Sequence, residues 1–236
     1  MYDKKFATNL QKDASVFLQG YYLLVNNIAI YLKEIEVYYY EHGRYEDYSV
    51  HRNILQKNNK HKFYIHRYGQ DADSSYKSSP KNNRGGCDFV MSDSDGVYYS
   101  YLIRSIVIND ELYVGPRKTL NAIIENTGLS YEELEKANVT IVPFENNHDV
   151  LNTSRIGLGN SKENDAELYK NAELRCILCD KYFVKRDNKN VGYARRTEAI
   201  DNFLKRKLET GEMTKEEAIK YSNDWYGAVS RWLNDW

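Results

Sequence analysis

Apolar residues recur at helical spacing near the start of the chain, at Phe6, Leu10, Ala14, Phe17 and Leu18, and stop before Gly20. That spacing predicts one amphipathic helix over 3–18, with the glycine as its cap. From Tyr21 the period shortens to the alternation of strands: "YYLLV", a turn at Asn26-Asn27, then the long run "IAIYLKEIEVYYY" to Tyr40. On that strand Glu34, Glu36 and Tyr38 share one face, because alternate side chains point the same way. Further strands are expected at 62–67, 87–91, 97–107, 111–114, 139–143 and 174–184, with a helix from Pro116 to Asn126 and a glycine-containing loop at "TSRIGLG". Beyond about residue 193 the sequence becomes charged and helix-favouring, and Thr214 and Glu217 stand at capping-box spacing. Two domains follow: a mixed domain over 1–192 and a C-terminal helical extension over 193–236 packed on it. The polar stretch "QDADSSYKSSPKNNRGG" at 70–86 is long enough to be functional or mobile.

Composition changes this picture in few places. With 236 residues and 42% hydrophobic content the chain can bury a substantial core, and its formal net charge of −1 neither demands nor excludes a nucleic-acid partner. No apolar run approaches the roughly 20 residues that span a bilayer, and "MYDKKFATNL" lacks the features of a secretion signal, so no membrane partner and a cytoplasmic location are expected. Three cysteines, an odd number, suit a reducing compartment. The "CILC" pair has half the spacing of a zinc site but no second ligand pair, so it reads as a buried strand and no metal is expected. Tyrosine is the unusual component, 22 residues against 7 Phe and 3 Trp. Such rings line wet clefts or stack on bases. Trp225, Trp232 and Trp236, at helical spacing, read as core packing or an interface with a partner.

Candidate chemistry concentrates in two places. Between residues 52 and 84 eight bases (Arg52, Lys57, Lys60, Lys62, Arg67, Lys77, Lys81, Arg84) face two acids (Asp71, Asp73), and Phe63, Tyr64, Tyr68 and Tyr76 are interleaved with them. Cations mixed with stackable rings are expected at a nucleic-acid surface; the alternative is a solvated basic loop. The second place is Glu36. A glutamate on a central strand is costly to bury unless it is paired or used, and Arg104 in "YLIRSIVI" is its natural partner. The two form either a structural ion pair or a general base with the arginine that fixes it.

In the order "QGYYLL", "EIEVY", a downstream His, "FYIHRYG", "GGCDFVMS", "YLIRSI", "GPRKTLNAI" and "SRIGLG", the chain resembles the methylpurine (alkyladenine) DNA glycosylase family over about residues 14–180. There a "VETEAY" strand, a "YVYxxYG" strand, an "LLRALEP" strand, a "GPSKLCQAL" helix and an "RVGVG" loop follow in the same order. The resemblance implies an α+β fold, a compact mixed domain whose antiparallel barrel-like sheet is surrounded by helices. It also implies a monofunctional enzyme that needs no cofactor, flips a base out of DNA and hydrolyses its glycosidic bond. By position, Glu36 would activate the water and Arg104 would assist it. Tyr38, His51, Tyr64, Asp88 and Leu102 would form the base pocket. Tyr68 would wedge into DNA, and Arg52, Lys62, Arg67, Lys81, Arg84, Lys118 and Arg155 would contact it.

One departure bears on substrate. Where the family has "CMNIS", with an asparagine near the base, this chain has "GCDFV" and Asp88. An ionised carboxylate accepts but does not donate, which favours a base with an exocyclic amino group or a cationic base. The expected substrate is therefore an unusual modified base, such as a modified cytosine of viral DNA, acting in repair or defence. Two other classes compete: a non-catalytic nucleic-acid binding module, and an ADP-ribosyltransferase suggested by the Glu-x-Glu of "EIE". The latter requires an arginine before the acidic pair, and the first 33 residues contain none.

Overall fold

A computed structural model describes residues 2–78, 85–92, 94–159, 161–163, 165–182, 192–226, 231–234 and 236, and for 192–199, 224–226 and 231 the backbone alone. Helix α1 runs Lys4–Gly20, started by Asp3, whose carboxylate accepts the Phe6 N–H. Two strands follow, β1 (Tyr21–Val25) and β2 (Ile28–Glu41), joined by Asn26-Asn27 with both φ angles positive. That left-handed pair matches the strand twist, and asparagine tolerates it. Then come β3 (Tyr45–Glu46), β4 (Phe63–Ile65), β5 (Cys87–Val90), β6 (Val97–Ile108) and β7 (Glu111–Val114). Helices α2 (Pro116–Thr127) and α3 (Tyr131–Lys136) precede β8 (Val139–Pro143) and β9 (Val150–Thr153). The order closes with α4 (Ala166–Asn171), β10 (Arg175–Leu178), α5 (Gly192–Glu209) and α6 (Lys215–Tyr226).

All strand pairs are antiparallel, and the sheet curls into a half-barrel around β2. One edge of β2 holds β6 along its length; the other holds β1, then β10, then β3. The expected α+β class and barrel-like antiparallel sheet with flanking helices are what the structure has. The strand expected at 174–184 ends at Leu178, its last two positions lying outside the described residues, and β3, β9, α3 and α4 add elements.

The hydrophobic phase of β2 and β6 changes once. The core receives Ile30 and Leu32, then Ile35, Val37 and Tyr39; on β6 it receives Tyr101 and Ile103, then Ile106 and Ile108. Two residues instead of one separate the sets on each strand, and the ladder is irregular there, around Glu34. A bulge of this kind re-aims side chains without unpairing the strands. It turns Glu34 and Arg104 together onto the face opposite the core. The inner face packs on Leu10, Ala14, Phe17 and Leu18 of α1 and on Leu120 and Ile123 of α2. Each buried Leu, Ile or Phe among them stabilises the fold by about 1.5–3 kcal/mol.

A second cluster unites Leu151 and Ile177 of the sheet with Ile200, Phe203 and Leu204 of α5, Met213 and Ala218. Ile177 pairs with Glu34 and with Leu151, so the three share the outer face. The C-terminal helices thus pack on the face that carries Glu34, at its β9–β10 end. Trp232 lies against this cluster, and Trp236 is exposed. Among the described residues no helix is long and apolar enough to cross a membrane, and no three His, Cys, Asp or Glu side chains are grouped to hold a metal.

Candidate active site on the outer face of the sheet

Register places six residues in one row across six strands. Tyr64 of β4 opposes Asp88 of β5; Asp88 opposes Leu102 of β6; Leu102 opposes Glu36 of β2; Glu36 opposes Arg175 of β10; Arg175 opposes Thr153 of β9. Directly opposed residues share a face, and strands lie about 4.8 Å apart, so Glu36 and Asp88 stand roughly 10 Å from each other. Four residues expected in the site, Glu36, Leu102, Asp88 and Tyr64, therefore share this row. Tyr38 joins the same face one row along, opposite Ser100.

Glu36 has no exposed surface. Its Oε1 accepts the Ile156 N–H at 2.8 Å and lies 3.3 Å from Arg104 Nη1; its Oε2 accepts the Tyr38 hydroxyl at 3.1 Å. The Ile156 donor comes from the "SRIGLG" loop, which bends back at Gly157 with φ +77°. Burial opposes the charge of Arg104, but Glu36 and Glu34 together hold its guanidinium above the ordinary arginine range. Burial, and after it the Glu36 charge, pushes the Tyr38 phenol well up, so Tyr38 stays a hydrogen-bond donor at neutral pH.

A second polar group forms the far wall. His66 Nε2 lies 2.6 Å from Asp88 Oδ1, and Asp88 Oδ2 accepts Gln56 Nε2 at 2.9 Å and Ser100 Oγ at 2.8 Å. Burial opposes ionisation of Asp88, but His66, His51 and Ser100 hold its carboxyl below the ordinary value. The carboxylate expected to read a base is thus occupied by protein donors behind His66. His66 is the more exposed member of the pair, at 15% against 3% for Asp88. His51 packs edge-on to His66 with ring centres 4.5 Å apart, its Nδ1 3.3 Å from the Tyr64 hydroxyl and its Nε2 3.0 Å from Lys77 Nζ. An ammonium can only donate, so Nε2 accepts and Nδ1 carries the proton.

Burial, then the charges of His66 and Lys77, depress the pKa of His51 far below its usual 6.5. The unfolded chain therefore binds a proton that the folded protein refuses. Stability from this group is complete above about pH 6.5 and declines below it, by up to about 1.4 kcal/mol per pH unit. Urea unfolding at pH 7.5, 6.5 and 5.5 should show His51→Asn with a shallower acid decline than the wild type; parallel declines would refute this.

Gly86 lets the wall close. A Cβ there would sit 2.9 Å from Pro116 Cβ at the start of α2 and 3.3 Å from Leu102 Cδ1. Gly86→Ala should therefore cost about 1–3 kcal/mol through overpacking, read as a lower urea midpoint with unchanged slope.

The cations expected to meet DNA divide. Arg52 and Lys118 are exposed, as is the expected wedge Tyr68 at 63%, and the Arg52 guanidinium stacks 4.9 Å over the Tyr40 ring. Lys81 and Arg84 lie outside the described residues. Three assignments are corrected. Arg155 is fully buried, paired with Asp47 at 2.6 Å and donating to Val37 O and Tyr169 O, so no phosphate reaches it. Arg67 is buried against Glu135 and Tyr76. Lys62 spends its ammonium on Lys136 O, Ala137 O and Asn138 Oδ1 at the end of α3. Of the eight cations between 52 and 84, Lys57, Lys62 and Arg67 are thus held by local partners, Lys57 by Asp95.

Sequence reasoning missed His66, Gln56, Arg175 and Asp47 as parts of this face. His66 was open to detection, since it stands two residues from Tyr64 in "FYIHRYG" and so on the same strand face. No protein-family model matches the chain, and no curated protein matches it.

Proposed function

We propose that the chain is a monofunctional DNA glycosylase acting on an unusual modified base. The supporting observation is the buried carboxylate of Glu36, gripped by a backbone N–H, a guanidinium and a phenol, on a face whose far side carries the half-buried His51 and His66, with the fully buried Tyr64 behind them. A base stacked in DNA is out of reach and must be swung out, at a cost of a few kcal/mol, against such aromatic walls. Because Glu36 is covered, water reaches Oε2 when the half-buried Tyr38 gives up its hydrogen bond and turns its ring to the base. Glu36 takes the proton of that water as its oxygen attacks C1′ of the sugar. The glycosidic bond breaks, its electron pair leaves with the base, and an abasic site in an intact strand remains. Arg104 balances the charge on Glu36 while it acts as the base.

Substrate choice follows from the far wall. An asparagine amide offers both a donor and an acceptor, whereas here an imidazole backed by a carboxylate meets the base. Such a wall suits a base other than the common alkylated purines, for which a modified cytosine of viral DNA is the working example. Tyr68 would wedge the duplex, with Arg52 and Lys118 on the phosphates. The test is alkali-sensitive breaks in end-labelled modified DNA after incubation with the protein. Breaks that appear only after alkali support the reading; a borohydride-trapped protein–DNA adduct would contradict a water nucleophile.

A further inference from the structure

Glu34 lies on the same outer face, two residues before Glu36 on β2. It is 3% exposed, and its Oε1 accepts two guanidinium groups at once, Arg104 Nε at 3.0 Å and Arg175 Nε at 2.7 Å. Arg104 in turn reaches Glu36 with Nη1. The four side chains form an alternating series across three strands: Arg175, Glu34, Arg104, Glu36. A structural ion pair needs only Glu34 and Arg175, both buried and 2.7 Å apart. The attachment of Arg104 through Nε alone, from the bulge, leaves its Nη side aimed at Glu36.

Register adds a second reason. Arg175 stands directly opposite Glu36, yet its Nε bonds diagonally to Glu34. Without Glu34, Arg175 gains a short route to the Glu36 carboxylate, and a second guanidinium there would withdraw electron density from the group that must accept a proton. We propose that Glu34 is a positioning residue that sets Arg104 against Glu36 and keeps Arg175 away from it; this rests on Glu36 being the base of a glycosylase.

Single-turnover base release, DNA affinity and the ¹⁵N–¹H signals of the arginine Nε–H groups test it in the full chain. Glu34→Ala should release base about 100-fold more slowly at unchanged DNA affinity, and Arg175→Met added to it should recover at least tenfold. Glu34→Gln keeps the accepting oxygen and should stay within about fivefold of wild type. Should Glu34→Ala fail to fold, Glu34→Asp decides, since its shorter reach should still slow release at least tenfold. Wild-type rates in Glu34→Ala or Glu34→Asp, or a Glu34→Gln variant as slow as Glu34→Ala, overturn the proposal. If the wild type releases no base at all, the glycosylase reading fails and the signals decide the positioning. An Arg104 Nε–H slow to exchange in the wild type and lost in Glu34→Ala supports it, and one unchanged by the substitution overturns it.

Discussion

Glu36→Gln is expected to reduce base release by about 10³-fold while DNA binding and folding persist. The size follows from the role. General-base assistance contributes about 10²–10⁴-fold, and an amide of the same shape cannot take a proton from water. The tolerance follows from the geometry, since the Gln Oε1 still accepts the Ile156 N–H and the Arg104 guanidinium, and its Nε2 meets a phenol oxygen able to accept. Single-turnover kinetics with DNA saturated by protein isolate the step. A variant that releases base at the wild-type rate would reduce Glu36 and Arg104 to a structural ion pair joining two strands.

The second large effect concerns stability. Arg155→Met should lower it by about 3–5 kcal/mol, because it strands the buried Asp47. Asp47 has no exposed surface, and its Oδ2 has no hydrogen-bond partner beyond the ionic contact with Arg155. At roughly 2–4 °C per kcal/mol for a chain of this size, the melting temperature should drop by about 6–20 °C. Replacing both partners, Arg155→Met with Asp47→Leu, should recover much of that, since an apolar pair of similar volume leaves no buried charge. DNA affinity measured well below the melting point should change little. Normal melting combined with a large loss of DNA affinity would instead return Arg155 to the phosphate contacts that its place in "SRIGLG" suggests.

The difference between these two arginines shows what a sequence discloses. Arg104 was legible because its neighbours in "YLIRSIVI" are apolar and Glu36 sits in a similar strand, so two isolated charges could be matched. Arg155 has its acid 108 positions earlier, in a loop that no periodicity marks. Most strands of the half-barrel were readable from alternation, though the short β3 and β9 were not, and even the bulge has a trace, the doubled gap between Leu32 and Ile35 and between Ile103 and Ile106. Its meaning was not readable, because one strand does not reveal that its partner slips at the same level. Helix α3 was not read although its start carries a signal, the capping box of Ser130 and Glu133. Helix α4 has no capping side chain and six residues, too little for a periodic signal. The basic run is less free than its charge count suggests: counting over 52–84 leaves out Asp95 and Glu135, which pair with Lys57 and Arg67, and the carbonyls ending α3, which hold the ammonium of Lys62. Asp88 was placed in the wall, but that its oxygens are taken by His66, Gln56 and Ser100 is a fact of packing.

Mass spectrometry of the small molecules released from a panel of naturally modified and alkylated DNAs tests the enzymatic reading most directly. The proposal requires a free modified base from at least one DNA carrying a non-standard base, in amounts matching the abasic sites left behind, and none from the same DNA treated with Glu36→Gln. A wild-type protein that binds these DNAs yet frees no base from any of them would contradict it and leave a nucleic-acid binding module.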